Sequence, residues 1–435
     1  MAIKVMKVSE ARVTTLKNRW PNKRSINTEL LKYVEKLIEA VKQRGDEALI
    51  ELTEKFDKVK LTAEHLRVSR EDIEEAYSKV SDEQLSALKA AKNRVEEFEK
   101  QILLNSTFEY IWNDVKIRRV YRPLTSVGCY IPGGKAAYPS TVIMTVVPAK
   151  VAGVSRIVVC SPPKEDGEIN PLTLVAADIC GASEIYRIGG VQAIAALAYG
   201  TETIKPVEKI VGPGNQYVSA AKMIVSRDVP IDLPAGPSEI MILADEKSDP
   251  RFIAVDMVSQ AEHGVDSIPI LVTVSRRVAE AVDEEIGNLM ENVSNRQVVS
   301  QSLEKNGFIL VAENMEEAID FVNDFAPEHL EIFAENAYEI AERIHSAGLV
   351  LIGGYTPVSL SDYYLGTNHV LPTGGFGRVY SGLSALSFIR FMNIVECKKE
   401  SFKKLSFIAK VLAESEGLLN HALAIEERTK NGCEK

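Results

Sequence analysis

In "FAPEHLEIF", residues 325–333, Glu328 stands directly beside His329, just after Pro327 and against an apolar run. Two proton-transfer groups so placed could perform general acid–base chemistry. The plainer reading is a helix stop at Pro327 with polar residues solvating the helix end. Gln260 and His263, in "SQAEHG", lie three residues apart at the end of an expected helix and share one face. An amide oxygen and an imidazole nitrogen can ligate one metal, although a histidine favoured by the helix dipole is the commoner explanation. Asp362 in "SDYYLG" and His369 in "GTNHVLPT" occupy a long loop, where an aspartate is ordinarily a turn former. His421 follows Glu416 by five residues in "EGLLNHA", a setting that suits a plain amphipathic helix. Together these donors form a mixture suited to zinc, with a Glu–His pair left over for proton transfer. His65 and His345 sit in polar helical stretches and read as surface residues.

The nucleotide side is less explicit. No GxGxxG follows a strand, "GGVQAIA" only approximates one, and no acidic residue closes the expected second strand as a ribose anchor. "YIPGGKAAYPST" and "VGPGNQY" could bring backbone amides close to phosphates. Turn chemistry explains their glycines equally well.

These residues need elements to position them. Residues 27–104 carry apolar residues at three and four spacing and predict helices, with Asn27 as an N-cap. Asn113–Asp114 predicts a hairpin turn between two strands. From about 126 the pattern alternates: "RIVVCSPP", "EIYRIGG" and "VEKIVGPGN" as strands, "NPLTLVAADICGA", "VQAIAALAYGT" and "QYVSAAKMIVS" as helices. A second alternation runs from "EIMILAD" to "LVLIGG". Both are βαβ signatures, and the fold class is α/β with two parallel-sheet domains. The short loops of the first run follow strand C-terminal ends, the edge where ligands collect in open sheets. Residues 355–378 form a long loop of the kind that is usually functional. The tail from about 379 predicts as largely helical. The expected organisation is an N-terminal extension (1–25), a first α/β domain from 26–125 and 236–378, a second from 126–235, and a helical tail (379–435).

The 435 residues, 46% hydrophobic and 26% charged, allow two or three domains with a large core. A net charge of −10 without a long basic run disfavours nucleic acid as a partner. The apolar region around 141–159 is interrupted by Pro148, Lys150 and Arg156, so no membrane span is expected, and no signal peptide is visible. Cys129, Cys160, Cys180, Cys397 and Cys433 are scattered and form no CxxC pair, which points to reduced thiols in a cytoplasmic protein. Cys129 beside its glycine-rich turn reads as a small buried residue rather than a nucleophile.

The motifs "YIPGGKAAYPST", "RIGGVQAIAALAYGT", "KIVGPGNQYV", "AGPSEI", "SQAEHGVDS", "FAPEHLEI", "SDYYLGTNHVLPT" and "EGLLNHA" stand in the order and spacing of the histidinol dehydrogenases, over nearly the whole chain from about residue 25. The resemblance implies oxidation of L-histidinol through L-histidinal to L-histidine, with two NAD+ and one water, at the end of histidine biosynthesis. It implies zinc ligands Gln260, His263, Asp362 and His421, substrate contacts at Ser238, His369 and Glu416 besides those ligands and His329, and NAD contacts at Tyr130, Gln192 and Asn215. It further implies incomplete Rossmann-like bodies and a domain-swapped homodimer with shared active sites, His421 reaching in from the other subunit. Ile268 departs from the glutamine expected after "DS", outside the ligand set.

Two deprotonations are needed, one of the alcohol and one of the water that adds to the aldehyde. His329, neutral at pH 7, is expected to serve the first and Glu328 the second, its pKa raised by burial. A zinc hydrolase is the rival reading, weakened by the lack of HExxH and by four protein ligands that leave little room for a catalytic water. A metal- and nucleotide-binding regulator without turnover is a third.

Overall fold

The computed structural model describes residues 3–17, 19, 28–133, 137–234, 236–430. Asn27 and Cys433 lie outside them. The strands along the chain are β1 (Lys4–Lys7), β2 (Phe108–Trp112), β3 (Val115–Pro123), β4 (Ser126–Tyr130), β5 (Arg156–Cys160), β6 (Glu184–Tyr186), β7 (Ile210–Val211), β8 (Glu239–Ala244), β9 (Ile268–Thr273), β10 (Phe308–Val311), β11 (His329–Phe333), β12 (Leu349–Ile352) and β13 (Ile389–Cys397). The chain divides into two compact units, Met1–Lys100 with Leu124–Phe388, and Gln101–Pro123 with Ile389–Lys435.

The large unit holds both parallel sheets. One has the order β1-β10-β9-β8-β11-β12, the other β6-β5-β4-β7. Every residue of β8 and β11 is buried, as befits parallel strands covered on both faces. Their side chains alternate between those faces. Ile240, Ile242, Ala244 and Phe333 join Ile253 and Met257 of the helix Pro250–Ala261 in one core. Met241, Leu243, Leu330 and Ile332 join Phe321 and Phe325 of the helix Met315–Phe325 in the other. By the same period of two, His329 and Glu331 share the face of Phe333, which the helix Pro250–Ala261 covers. That helix also carries Gln260.

The four-stranded sheet packs with the helices Gly190–Tyr199 and Gln216–Val225, and the N-terminal helices Thr28–Arg44 and Asp46–Asp57 share that core. Asp249, Asn170 and Asn215 cap their helices through side-chain oxygens, as their residue types predict.

The small unit is built on an antiparallel sheet of order β13-β3-β2. Asn113 and Asp114 both have positive φ (47° and 56°), the turn expected of a two-residue hairpin. The helices Lys399–Ser415 and Leu419–Lys430 follow. The tail is largely helical, as expected, but it also carries a strand that was not expected: β13 pairs with β3 along nine residues, from Ile389↔Pro123 to Cys397↔Val115. All but one of its residues are exposed, so no apolar–polar alternation marks it in the sequence. Two other elements carry no strong pattern either: β1, which adds an edge to the six-stranded sheet, and the helix Arg296–Asn306. No helix among the described residues is long and apolar enough to cross a membrane.

Candidate active site

The helix Met315–Phe325 is capped by Asn314 and ends at Ala326, which adopts a left-handed conformation (φ 51°). Pro327 prevents its continuation. The chain then enters β11 directly, so Glu328 and His329 are held by sheet pairing rather than by a loop. Leu349 N–H donates to the Glu328 carbonyl at 2.9 Å, and Gly348 N–H to that of Pro327 at 2.9 Å. A Cβ at Gly348 would lie 2.6 Å from the Glu328 carbonyl oxygen, so only glycine allows this approach.

Glu239, the first residue of β8, holds both members of the pair. Its N–H donates to Glu328 Oε2 at 2.8 Å, and its Oε2 accepts the Glu328 N–H at 3.3 Å. Its carbonyl accepts from His329 Nδ1 at 3.1 Å. A donor Nδ1 leaves Nε2 as the nitrogen that takes up or releases a proton. Nε2 lies 3.7 Å from Asp362 Oδ1, and neither atom has a hydrogen-bond partner among the described residues. Glu239 was missed in the sequence. The available signal was a carboxylate opening the apolar strand "EIMILA".

The electrostatics follow from this enclosure. Burial pushes the Glu328 carboxyl up to about 8, against the pull of His329 and the Glu239 N–H. Burial alone would lower the His329 imidazole, but the Glu328 and Asp362 carboxylates and the Glu239 carbonyl push it up to about 9. The expected neutral imidazole at pH 7 thus meets surroundings that favour its protonated form. Burial would raise Asp362, yet His329 above all, with His369 and His263, holds it below the ordinary carboxylate value. Three imidazoles thus act on one carboxylate, and two of them, His329 and His369, lie against Asp362.

Asp362 sits in a π turn, Ser361–Leu365, so residues 355–378 are more ordered than a plain loop. His369 faces Asp362 through Nδ1, which donates to the Asp362 carbonyl at 3.1 Å, while Nε2 lies 3.5 Å from Thr141 Oγ1. Gln260 is buried in the last turn of its helix, and His263, just beyond, is exposed. Ser238 is half-buried, immediately before Glu239. The structure therefore gathers Asp362, His263, His369, Glu328 and His329, and places Gln260 on the helix that covers the face of His329. Glu416 and His421 lie in the small unit, both exposed. Among the described residues no three His, Cys, Asp or Glu side chains cluster as a self-sufficient metal site. The expected donors in the large unit are two such residues and an amide. This site occupies the N-terminal edge of the six-stranded sheet, opposite to the usual ligand edge of parallel sheets.

Tyr130, Gln192 and Asn215 do gather at the C-terminal edge, that of the four-stranded sheet. Tyr130 ends β4, and its buried hydroxyl accepts the Gly190 N–H at 3.1 Å. Gln192, on the helix that Gly190 starts, is buried with Oε1 unpartnered among the described residues. Asn215 Oδ1 accepts from Tyr217 N–H at 3.0 Å and Val218 N–H at 3.1 Å. Gly212 passes so close to β4 that a Cβ would sit 2.1 Å from the Tyr130 carbonyl oxygen. Cys129 is buried, and burial pushes its thiol up to about 12, which removes it as a nucleophile. His65 and His345 are exposed.

The histidinol dehydrogenase family model matches residues 21–429. The chain is 47% identical over 395 residues to a histidinol dehydrogenase of Methanothermobacter thermautotrophicus, covering 91% of this chain and 92% of that one. It is 45% identical over 426 residues to that of Methanosarcina barkeri, covering 98% and 97%. The crystal structure of histidinol dehydrogenase from Elizabethkingia anophelis matches with a TM-score of 0.92 at 38% identity, over 99% of this chain and 98% of that chain.

Proposed function

The chain belongs to the histidinol dehydrogenase family, and on that premise we propose that it oxidises L-histidinol through L-histidinal to L-histidine with two NAD+ and one water. The observation that carries this reading is the buried Glu328–His329 pair, with the unpartnered His329 Nε2 turned toward Asp362.

Gln260, His263 and Asp362, with His421 of the partner subunit, are the residues that would hold zinc. The unpartnered Asp362 Oδ1 fits that role. Zinc supplies a fixed anchor for the imidazole and amino nitrogens of the substrate. With zinc held at Asp362, the carboxylate would no longer favour the protonated form of His329 as strongly, which would leave the neutral imidazole to act as base. Tyr130, Gln192 and Asn215 are assigned to NAD+, which takes the hydride. The buried, unpartnered Gln192 Oε1 fits a ligand donor.

His329 takes the hydroxyl proton through Nε2 as hydride leaves the carbinol carbon. Its tautomer is set by the Nδ1–H bond to Glu239. Glu328 then takes a proton from the water that adds to the aldehyde carbon. The hydrate loses a second hydride to become the carboxylate. Burial makes the Glu328 carboxylate more basic than an ordinary one and so a better acceptor for that proton. Ser238, His369 and Glu416 contact the substrate in this reading.

We assign a homodimer with shared sites. Ile111, Trp112, Val395, Phe407, Ile408 and Leu419 of the small unit are exposed, an apolar surface that a second copy would cover. Cytoplasmic location accords with the free, buried Cys129, Cys160 and Cys180. The test is NADH formation from L-histidinol with and without a chelator. Zinc-restored activity supports the reading, and no NADH under zinc-replete conditions overturns it.

A further inference from the structure

We propose that Arg19 is a positioning residue for the Glu328–His329 pair, acting through Glu239; this rests on the roles assigned above to that pair. Arg19 belongs to the segment before the first long helix, 220 residues away from Glu239 in sequence. It is nonetheless buried, as is Glu239. The guanidinium grips Glu239 with both arms, Nη1 to Oε1 at 2.7 Å and Nη2 to Oε2 at 2.8 Å. Its Nε donates to the Phe325 carbonyl at 2.7 Å, and Nη2 also to that of Ala326 at 3.1 Å. Its Cζ lies 3.4 Å from the centroid of the Phe325 ring.

Each Glu239 carboxylate oxygen accepts one guanidinium N–H and one backbone N–H. Oε1 takes that of Gly374 at 3.0 Å, and Oε2 that of Glu328 at 3.3 Å. The ion pair therefore joins four parts: the N-terminal segment, the left-handed turn before Pro327, the start of β11, and the loop that carries Asp362 and His369. Buried ion pairs are weak devices for stability alone, and apolar replacements often serve as well. No apolar pair could accept the N–H groups of Glu328 and Gly374, or bond the two carbonyls at the helix end. Among the described residues, Arg19 makes no hydrogen bond or ion pair with Gln260, His263 or Asp362. Glu239 reaches the loop of Asp362 and His369 only through the Gly374 N–H but holds Glu328 and His329 by three bonds, so loss of Arg19 should disturb the two bases more than substrate anchoring. Lysine cannot replace the planar fork.

The experiment measures Arg19→Lys and Arg19→Ala beside Glu328→Gln and His329→Asn, in the full-length zinc enzyme. Expected for Arg19→Ala is a fall in kcat of about 10²-fold with histidinol and with histidinal alike, the cost of a misplaced catalytic group. KM for histidinol and bound zinc should stay near wild type, and added guanidinium should restore turnover. Arg19→Lys should lose at least about tenfold in kcat with KM unchanged. Should Arg19→Ala fail to fold, Arg19→Lys decides alone. Wild-type kcat in Arg19→Lys would overturn the proposal, as would joint loss of kcat, KM and zinc without guanidinium rescue. Undiminished turnover in Glu328→Gln and His329→Asn would instead overturn the roles of the pair.

Discussion

His329 Nδ1 donates to the main-chain carbonyl of Glu239 at 3.1 Å, so the chemistry of the imidazole is confined to Nε2, 3.7 Å from Asp362. A backbone acceptor cannot rotate away or change its charge. The tautomer is thereby set by the pairing of β8 with β11, in which His329 lies opposite Ile240.

His329→Asn removes the Nε2 base while leaving a side chain that can still donate to Glu239. Oxidation of histidinol should fall 10²–10⁴-fold in kcat, the usual contribution of a positioned general base. Steady-state kinetics with histidinol and with histidinal separate the steps, and the alcohol step should suffer more. Equal turnover to wild type with both substrates would contradict the assignment.

Gln192→Leu removes the buried, unpartnered Oε1. The Kd for NAD+, read by fluorescence or calorimetry, should rise about fivefold, the worth of one ordinary hydrogen bond. The melting temperature of the NAD-free protein should hold or increase, since an unsatisfied buried acceptor is gone. Unchanged NAD+ affinity would remove Gln192 from the cofactor site.

Glu99 tests the electrostatics away from the chemistry. It is buried in the helix Asp82–Leu104 and accepts the Ala385 N–H at 2.7 Å, and burial pushes it up to about 7. Its folded pKa is raised, so its contribution is complete below the unfolded value and is lost as pH rises through about 7. Glu99→Gln keeps an acceptor for Ala385 and has no charge to bury. Its stability relative to wild type in urea unfolding should improve from pH 5 to pH 8 by on the order of 2 kcal/mol. Parallel curves at the two pH values would contradict the buried-acid reading.

Much of the fold was legible because its signals are local. The two βαβ alternations, the Asn113–Asp114 hairpin and the helix stop at Pro327 all depend on neighbours within a few residues. β13 was not legible, since its exposed faces impose no period. Nor was the Arg19–Glu239 pair: each residue looks ordinary alone, and only the closed fold joins them. The chemistry of Glu328 and His329 was suggested by their adjacency, whereas what orients them comes from strand pairing. Asp362 was singled out as one donor of a mixture, its ligand role came through the family resemblance, and its contacts with His329 and His369 needed the folded chain. The proposed metal donors of the large unit, Gln260, His263 and Asp362, also sit at the sheet edge that general rules would have passed over.

The account stands most directly on Glu328 as the base for the second step. In a single turnover with excess NAD+ and zinc-replete enzyme, wild type should form two NADH per histidinol. Glu328→Gln should form the first at near wild-type rate and then stall, with histidinal held on the enzyme and the second NADH slower by about 10²-fold or more. A second NADH formed as fast in Glu328→Gln as in wild type would contradict the account.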